Sequence, residues 1–277
     1  MITGSTEIIA HIGYPTHAFK APMIYNPWFE KAGANVVVVP MGYRVEDYST
    51  CLRSVFKMSN IRGALITMPH KVTTLGLVDE VLPTAAIAGA CNAVRIGPAG
   101  QLQGEMFDGA GFTRGVLRKG VELKGARALV MGCGGVGSAI AASLAAEGLA
   151  ALSLFDVNAA ACEDLASRLL QHYPNLQVRT GVNDPADHDL VVNATPLGMD
   201  DGDPMPVDVS RIHPQTFVGE VVMKSETTAF LAAAMARGCR VQLGADMLFE
   251  QIPAYLDFFG LPNTTPEVLR SISTLQY

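Results

Sequence analysis

A chain of 277 residues with 49% hydrophobic and 17% charged residues has ample apolar material for a core and is too long for one ordinary domain. Its net charge of −6, with no Lys/Arg cluster, argues against nucleic acid as a partner, and no apolar run reaches the length of a membrane span. The five cysteines are scattered without a CxxC pair, the six histidines show no HxH or HExxH spacing, and MITGSTEIIAHIG at the start has no basic or signal-type apolar region. These features point to a reducing cytoplasm, no protein-bound metal and no export signal.

Strands and helices alternate along the chain. EIIAHIG (7–13), ANVVVVPMG (34–42), GALITM (63–68) and CNAVRIG (91–97) read as strands, with VEDYSTCLRSVFKMS (45–59) as a helix among them. A fresh series begins after Asp108. ARALVMG (126–132), ALSLFDV (151–157), LVVNAT (190–195), TFVGEVV (216–222) and RVQLG (240–244) are strand-like, whereas GSAIAASLAAEG (137–148) and AAACEDLASRLLQH (159–172) are helical. MLFEQIPAYLDFFG (247–260) and TPEVLRSISTL (265–275) close the chain as helices. Such alternation predicts an α/β fold with mostly parallel sheets. DGAGF (108–112) is glycine-rich and reads as a hinge.

Two stretches carry chemistry. In LITMPHK (65–71), Pro69 cannot donate a ladder hydrogen bond, so the strand ends there and Lys71 follows its carboxyl end, where open α/β sheets bind ligands. In VMGCGGVGSAIAAS, Gly132, Gly134 and Gly137 form G-x-G-x-x-G between an apolar strand and an alanine-rich helix. Gly132 permits the tight turn, Gly134 the approach of a pyrophosphate, and Gly137 close helix packing; Gly135 and Val136 complete the loop, whose helix N-terminus favours phosphate. Asp156 ends the next strand, where a carboxylate accepts from a ribose and repels a 2′-phosphate, and no arginine follows it in Val157, Asn158 and Ala159. NAD is therefore expected in preference to NADP. Cys133 inside the loop and His70 beside Lys71 read as structural.

With GALITMPHK, GACNAV, FDGAGF, NATPLGM and ADMLFEQ in this order, the chain resembles the shikimate/quinate dehydrogenase family from about Gly13 to Gln251. The resemblance implies an N-terminal, mostly parallel α/β substrate domain, 1–108 completed by 245–277. Between its parts lies a Rossmann-type, doubly wound dinucleotide-binding domain, 109–244. It implies reversible NAD(P)-dependent hydride transfer at a ring secondary alcohol of shikimate, quinate or a related hydroxylated cyclic acid, by a monomer or homodimer in a cleft that closes. Lys71 and Asp108 match its proton-transfer pair, and Thr67, Asn92 and Gln251 its ring-hydroxyl binders. Asn193, Ala194, Thr195 and Pro196 match the loop near the nicotinamide; Met223 and Gly244 join the cofactor-binding candidates.

GYPTHAFKAP departs from the family's G-x-P-x-x-H-S-x-S-P. Phe19 and Ala21 stand at the two serines and Met223 at a tyrosine, so all three hydroxyls that hold the substrate carboxylate in the family are absent. An anion buried without donors costs several kcal/mol. Either the carboxylate is held elsewhere, with Lys20 as a candidate, or the substrate differs at that end; Phe19 and Ala21 then line a more apolar wall. Three readings compete: this dehydrogenase, a non-catalytic NAD-binding regulatory paralogue, and a folate-linked dehydrogenase of the methylenetetrahydrofolate type. Retention of both Lys71 and Asp108 disfavours the second. The MPHK, NATPLGM and MLFEQ set disfavours the third.

Overall fold

A computed structural model describes residues 2–276. The chain divides into two compact units, one of the described residues up to Phe107 together with Gln251–Gln276, the other Asp108–Glu250.

The first unit is built on a six-stranded sheet. In chain order its elements are β1 (Glu7–Gly13), α1 (Pro22–Ala32), β2 (Val36–Gly42), α2 (Val45–Val55), β3 (Ile61–Ile66), α3 (Lys71–Thr74), β4 (Glu80–Val81), α4 (Pro83–Ala88), β5 (Ala93–Ile96) and β6 (Leu102–Glu105), in strand order β2-β1-β3-β5-β6-β4. Pairing is parallel for β1 with β2 and β3 and for β4 with β6. By contrast, β5 runs antiparallel to both neighbours. The turn Gly97–Gln101 makes this hairpin, its Gly97 N–H donating to the Gln101 carbonyl at 2.7 Å and Gly100 adopting φ +83°. That hairpin is the exception to the parallel pattern, and sequence periodicity does not show it. LQGE has one apolar residue, and its Gln103 is held instead by Arg95 at 2.9 Å and Glu80 at 2.8 Å.

Residues 48, 52 and 55 of α2 form one apolar stripe at helical spacing. They bury against Ala10, Ile12, Ala64, Ile66, Val94 and Leu102 of the sheet. Proline at the first helical position starts α1 and α4, and Gly33 (φ +65°) and Gly89 (φ +70°) end them.

The second unit begins with α5 (Asp108–Arg118) and continues as β7 (Arg127–Met131), α6 (Gly135–Ala146), β8 (Ala151–Phe155), α7 (Ala159–His172), β9 (Gln177–Thr180), β10 (Leu190–Asn193), β11 (Phe217–Glu220), α8 (Ala229–Ala236) and β12 (Val241–Gln242). All six strands are parallel in the order β12-β11-β10-β7-β8-β9. This is the doubly wound arrangement, with its switch point between β7 and β10. The expected hinge at 108–112 is instead the first turn of α5. A β-carbon at Gly109 would collide with the Ala139 carbonyl, so this glycine lets α5 lie close on α6 rather than bend.

The chain passes through α9 (Gly244–Phe259), whose last turns belong to the first unit, and ends that unit with α10 (Pro266–Ile272). Phe259 packs where a β-carbon on Gly63 would be, and Arg62 donates to its carbonyl at 2.8 Å. Arg95 donates to the Phe258 carbonyl at 2.5 Å while its guanidinium lies 4.3 Å over the Phe258 ring. Two cations, one on β3 and one on β5, therefore complement the negative end of α9 and fix its rotation on the sheet. Among the described residues no helix is long and apolar enough to cross a membrane.

Candidate active site

In the first unit, β3 ends at Ile66 as Pro69 requires. Thr67 donates its N–H to Ile12 at 2.8 Å and accepts from His70 N–H at 3.0 Å, a turn that delivers Lys71 to the first position of α3. Lys71 is only 9% exposed. Its turn is locked from beneath. His70 stacks on Tyr48 at 3.9 Å and pairs its Nε2 with the Tyr43 carbonyl at 2.8 Å; Thr74 donates to the His70 carbonyl at 2.8 Å and meets the Tyr48 hydroxyl at 2.6 Å. His70 is therefore engaged on both its ring face and its Nε2 within this turn.

Asn92 is tied on three sides. Its carbonyl accepts from Ile66 N–H at 2.8 Å and from Tyr255 Oη at 3.3 Å, and its Oδ1 accepts from Phe107 N–H at 2.9 Å. Gln251 lies one helical turn before Tyr255 on α9, so both project from one side of that helix. Asn92 Nδ2 and Gln251 Oε1 are buried without a hydrogen-bond partner, although buried polar groups are ordinarily paired. Phe19 lies over Gly13 and against His11, Ala21 is buried ahead of α1, and Lys20 donates to the Gln276 carbonyl at 2.5 Å. Lys20 thus reaches the C-terminal segment.

The second unit carries Asp108, buried as the first residue of α5, and the glycine loop. Gly132 has φ +94° and lies against the Ala194 backbone, and a β-carbon at Gly137 would collide with the Gly132 carbonyl oxygen. Gly134 borders open space, leaving the N-terminus of α6 bare, with Gly135 and Val136 in its first turn. Asp156 holds this loop through Cys133 N–H at 2.6 Å and accepts from Asn158 N–H at 2.9 Å; each oxygen keeps a second lone pair. Val157 beside it is 97% exposed. The Cys133 thiol packs 3.1 Å from Cys162 Sγ, its pKa raised by burial. This donor set, bare helix N-terminus and close-packed glycines fit a dinucleotide.

On β10, the Asn193 amide bonds its own loop, donating to the Leu197 carbonyl at 3.0 Å and accepting from Thr195 Oγ1 at 2.6 Å and Thr195 N–H at 3.1 Å. It shapes the Ala194–Thr195–Pro196 turn. Met223 is half-buried after β11, and Gly244 is packed so closely that a β-carbon would strike the Val222 carbonyl. Among the described residues no group of three or more His, Cys, Asp or Glu is placed to hold a metal.

The buried acid Glu220 lies outside the sequence motifs. Glu220 ends β11 in register with Asn193, accepts from Thr228 Oγ1 at 2.5 Å and faces the Asn193 side chain. The available signal is a single acid at the end of an apolar strand. Burial raises its pKa from 4.5 to about 7. The folded protein therefore keeps a proton that the unfolded chain releases. The contribution is complete below the unfolded pKa and is lost as pH rises through the folded one. Glu220→Gln is expected to flatten a fall in Tm between about pH 5 and 8; an unaltered slope in the variant would contradict this.

The profile of the shikimate dehydrogenase substrate binding domain matches residues 11–94. The chain is 32% identical over 271 residues to the shikimate dehydrogenase (NADP(+)) of Acidiphilium cryptum, covering 97% of this chain and 96% of that one. The shikimate dehydrogenase of Thermus thermophilus solved with NADP(H) and shikimate is 27% identical, with TM-score 0.84 over 96% of this chain and 98% of that one. The quinate dehydrogenase of Corynebacterium glutamicum solved with NAD is 28% identical at the same TM-score and the same coverage of each chain. With near-complete coverage at this identity, the chain belongs to the shikimate/quinate dehydrogenase family of NAD(P)-dependent oxidoreductases.

Proposed function

We propose that the protein reversibly oxidises a ring secondary alcohol of shikimate, quinate or a related hydroxylated ring, with Lys71 and Asp108 moving the hydroxyl proton. The observation that carries this is the pair of buried, unpartnered amide atoms, Asn92 Nδ2 and Gln251 Oε1, on the unit that presents Lys71. A buried donor and acceptor without a protein partner suit ring hydroxyls, which accept and donate. Thr67, at the turn before Lys71, adds a third hydroxyl-binding group. The hydride chemistry is supplied by a bound nicotinamide dinucleotide. Gly132, Gly134, Gly135, Val136 and Gly137 would hold its phosphates, and the Ala194–Pro196 turn, Met223 and Gly244 would hold its nicotinamide end. The Lys71/Asp108 pair takes the proton from the hydroxyl as hydride leaves, and in reverse returns it to the developing alkoxide. The five free thiols suit a reducing cytoplasm. Lysine-dependent NADH formation with shikimate, quinate or methyl shikimate tests the assignment, and its absence with every hydroxylated ring compound, acid or ester, overturns it.

NAD is the favoured cofactor. The Asp156 carboxylate repels a 2′-phosphate, and exposed Val157 offers it no charge-assisted hydrogen bond. The kcat/KM with NAD is expected to exceed that with NADP by about tenfold or more, and Asp156→Asn with Val157→Arg to reverse the order. Equal use of both cofactors by the unaltered protein would contradict the assignment.

A further inference from the structure

Side chains alternate along β1. Ala10 and Ile12 enter the core beneath α2 with Ala64 and Ile66, so His11 is on the opposite face, where Leu65 is its register partner and Thr67 follows. A β-carbon at Gly13 would strike Thr67 Cγ2 and crowd the Phe19 ring at 2.9 Å, which places Gly13, Thr67 and Phe19 on that same face. Phe19 covers the imidazole with ring centroids 4.2 Å apart and planes at 32°. His11 is 7% exposed, and its Nδ1 is buried without a hydrogen-bond partner. Asn92 Nδ2 and Gln251 Oε1 of this unit share that condition. Burial, reinforced by the Lys71 ammonium, lowers the His11 pKa to about 3, so the ring is neutral at working pH. A strand interior favours a β-branched apolar residue here, and a stack on Phe19 needs only a ring; neither accounts for a buried nitrogen without a protein partner.

We propose that His11 is a specificity-determining residue whose neutral imidazole, beside Thr67 and under Phe19, hydrogen-bonds an uncharged oxygen substituent of the substrate. The site thereby favours a ring alcohol neutral at that end over its carboxylate counterpart. A neutral imidazole has one donor and one acceptor, which match a hydroxyl or an ester oxygen. A carboxylate only accepts, needs several donors, and receives none from a phenyl ring. The nearby ammonium of Lys71 is committed to proton transfer. The proposal rests on the dehydrogenase reading for its kinetic arm alone.

The experiment compares shikimate with its uncharged methyl ester. In the unaltered protein kcat/KM for the ester is expected to exceed that for the acid by about tenfold, the value of one well-placed hydrogen bond. His11→Val should raise KM for the ester by about tenfold with kcat changed less than about threefold, should leave the acid nearly unaffected, and should be partly rescued by His11→Asn. Preference for the acid would overturn the proposal. So would equal losses on both compounds without rescue, accompanied by a lowered Tm. A binding arm follows the ring nitrogens of His11 by long-range 1H–15N spectra as each compound is added. If the ester moves them but neither compound is turned over, the dehydrogenase reading falls and the His11 proposal stands. If the ester is turned over without moving them, the His11 proposal alone falls; silence in both arms overturns both.

Discussion

Lys71→Ala is expected to lower kcat for the ring alcohol by about a thousandfold, with the Kd for NADH unchanged. Positioned proton transfer contributes roughly a hundred- to ten-thousandfold, and an alanine removes it without replacing it. The substitution is otherwise quiet. The turn that carries Lys71 is held by His70 on Tyr48 and by Thr74 on the His70 carbonyl, contacts that do not involve the lysine side chain. Tm should therefore stay within a few degrees. Lys71→Arg separates charge from proton transfer, because a guanidinium stays protonated in proteins and cannot serve as the base; it is expected to fail nearly as badly. Asp108→Asn keeps the size and polarity of the first residue of α5 and should cost about a hundredfold. Near-wild-type kcat in both Lys71→Ala and Asp108→Asn, measured by NADH absorbance, would remove the pair from the mechanism.

The second large effect lies in the glycine loop. A methyl at Gly137 cannot coexist with the Gly132 carbonyl as placed, so Gly137→Ala must push the loop off the helix. Such overpacking costs about 1–3 kcal/mol of stability and displaces the N–H groups that would meet a pyrophosphate. NADH binding, followed by fluorescence titration, is expected to weaken by about a hundredfold. Gly134→Ala is the informative companion. Its β-carbon enters open space at φ −74°, so the free protein tolerates it. A loss of NADH affinity at constant Tm then reports the approach of the ligand to this backbone. Equal affinity in all three proteins would mean that the loop holds no dinucleotide.

The legible elements are those whose signals are local. EIIAHIG and AAACEDLASRLLQH span β1 and α7 residue for residue, and the glycine motif lies where an apolar strand meets its helix. Short polar strands gave no such signal. LQGE and QVRT, β6 and β9, have no apolar alternation, and their places follow from neighbours far along the chain. The glycines of DGAGF are ambiguous in sequence because flexibility and close packing ask for the same residue. Only the Ala139 carbonyl against Gly109 decides for packing. The site shows the same division. Lys71 was readable from Pro69 and the strand before it. His11 and Glu220 were not, since what makes each unusual is its surroundings: Phe19 and Thr67 for one, Asn193 and Thr228 for the other. Asn193 matches a cofactor loop, yet its amide shapes that loop through Leu197 and Thr195, a hydrogen-bond pattern no spacing reveals.

The central claim is that this chain moves a hydride rather than merely binding a dinucleotide, and a single-turnover measurement addresses it most directly. Enzyme in excess over NAD is mixed with shikimate, quinate or methyl shikimate, and absorbance is followed at the NADH band in the unaltered protein and in Lys71→Ala. The account predicts a rapid rise approaching the NAD concentration with at least one compound, slowed by about a thousandfold in the variant. NAD bound tightly with no rise for any compound, or an equal rise in both proteins, would contradict it.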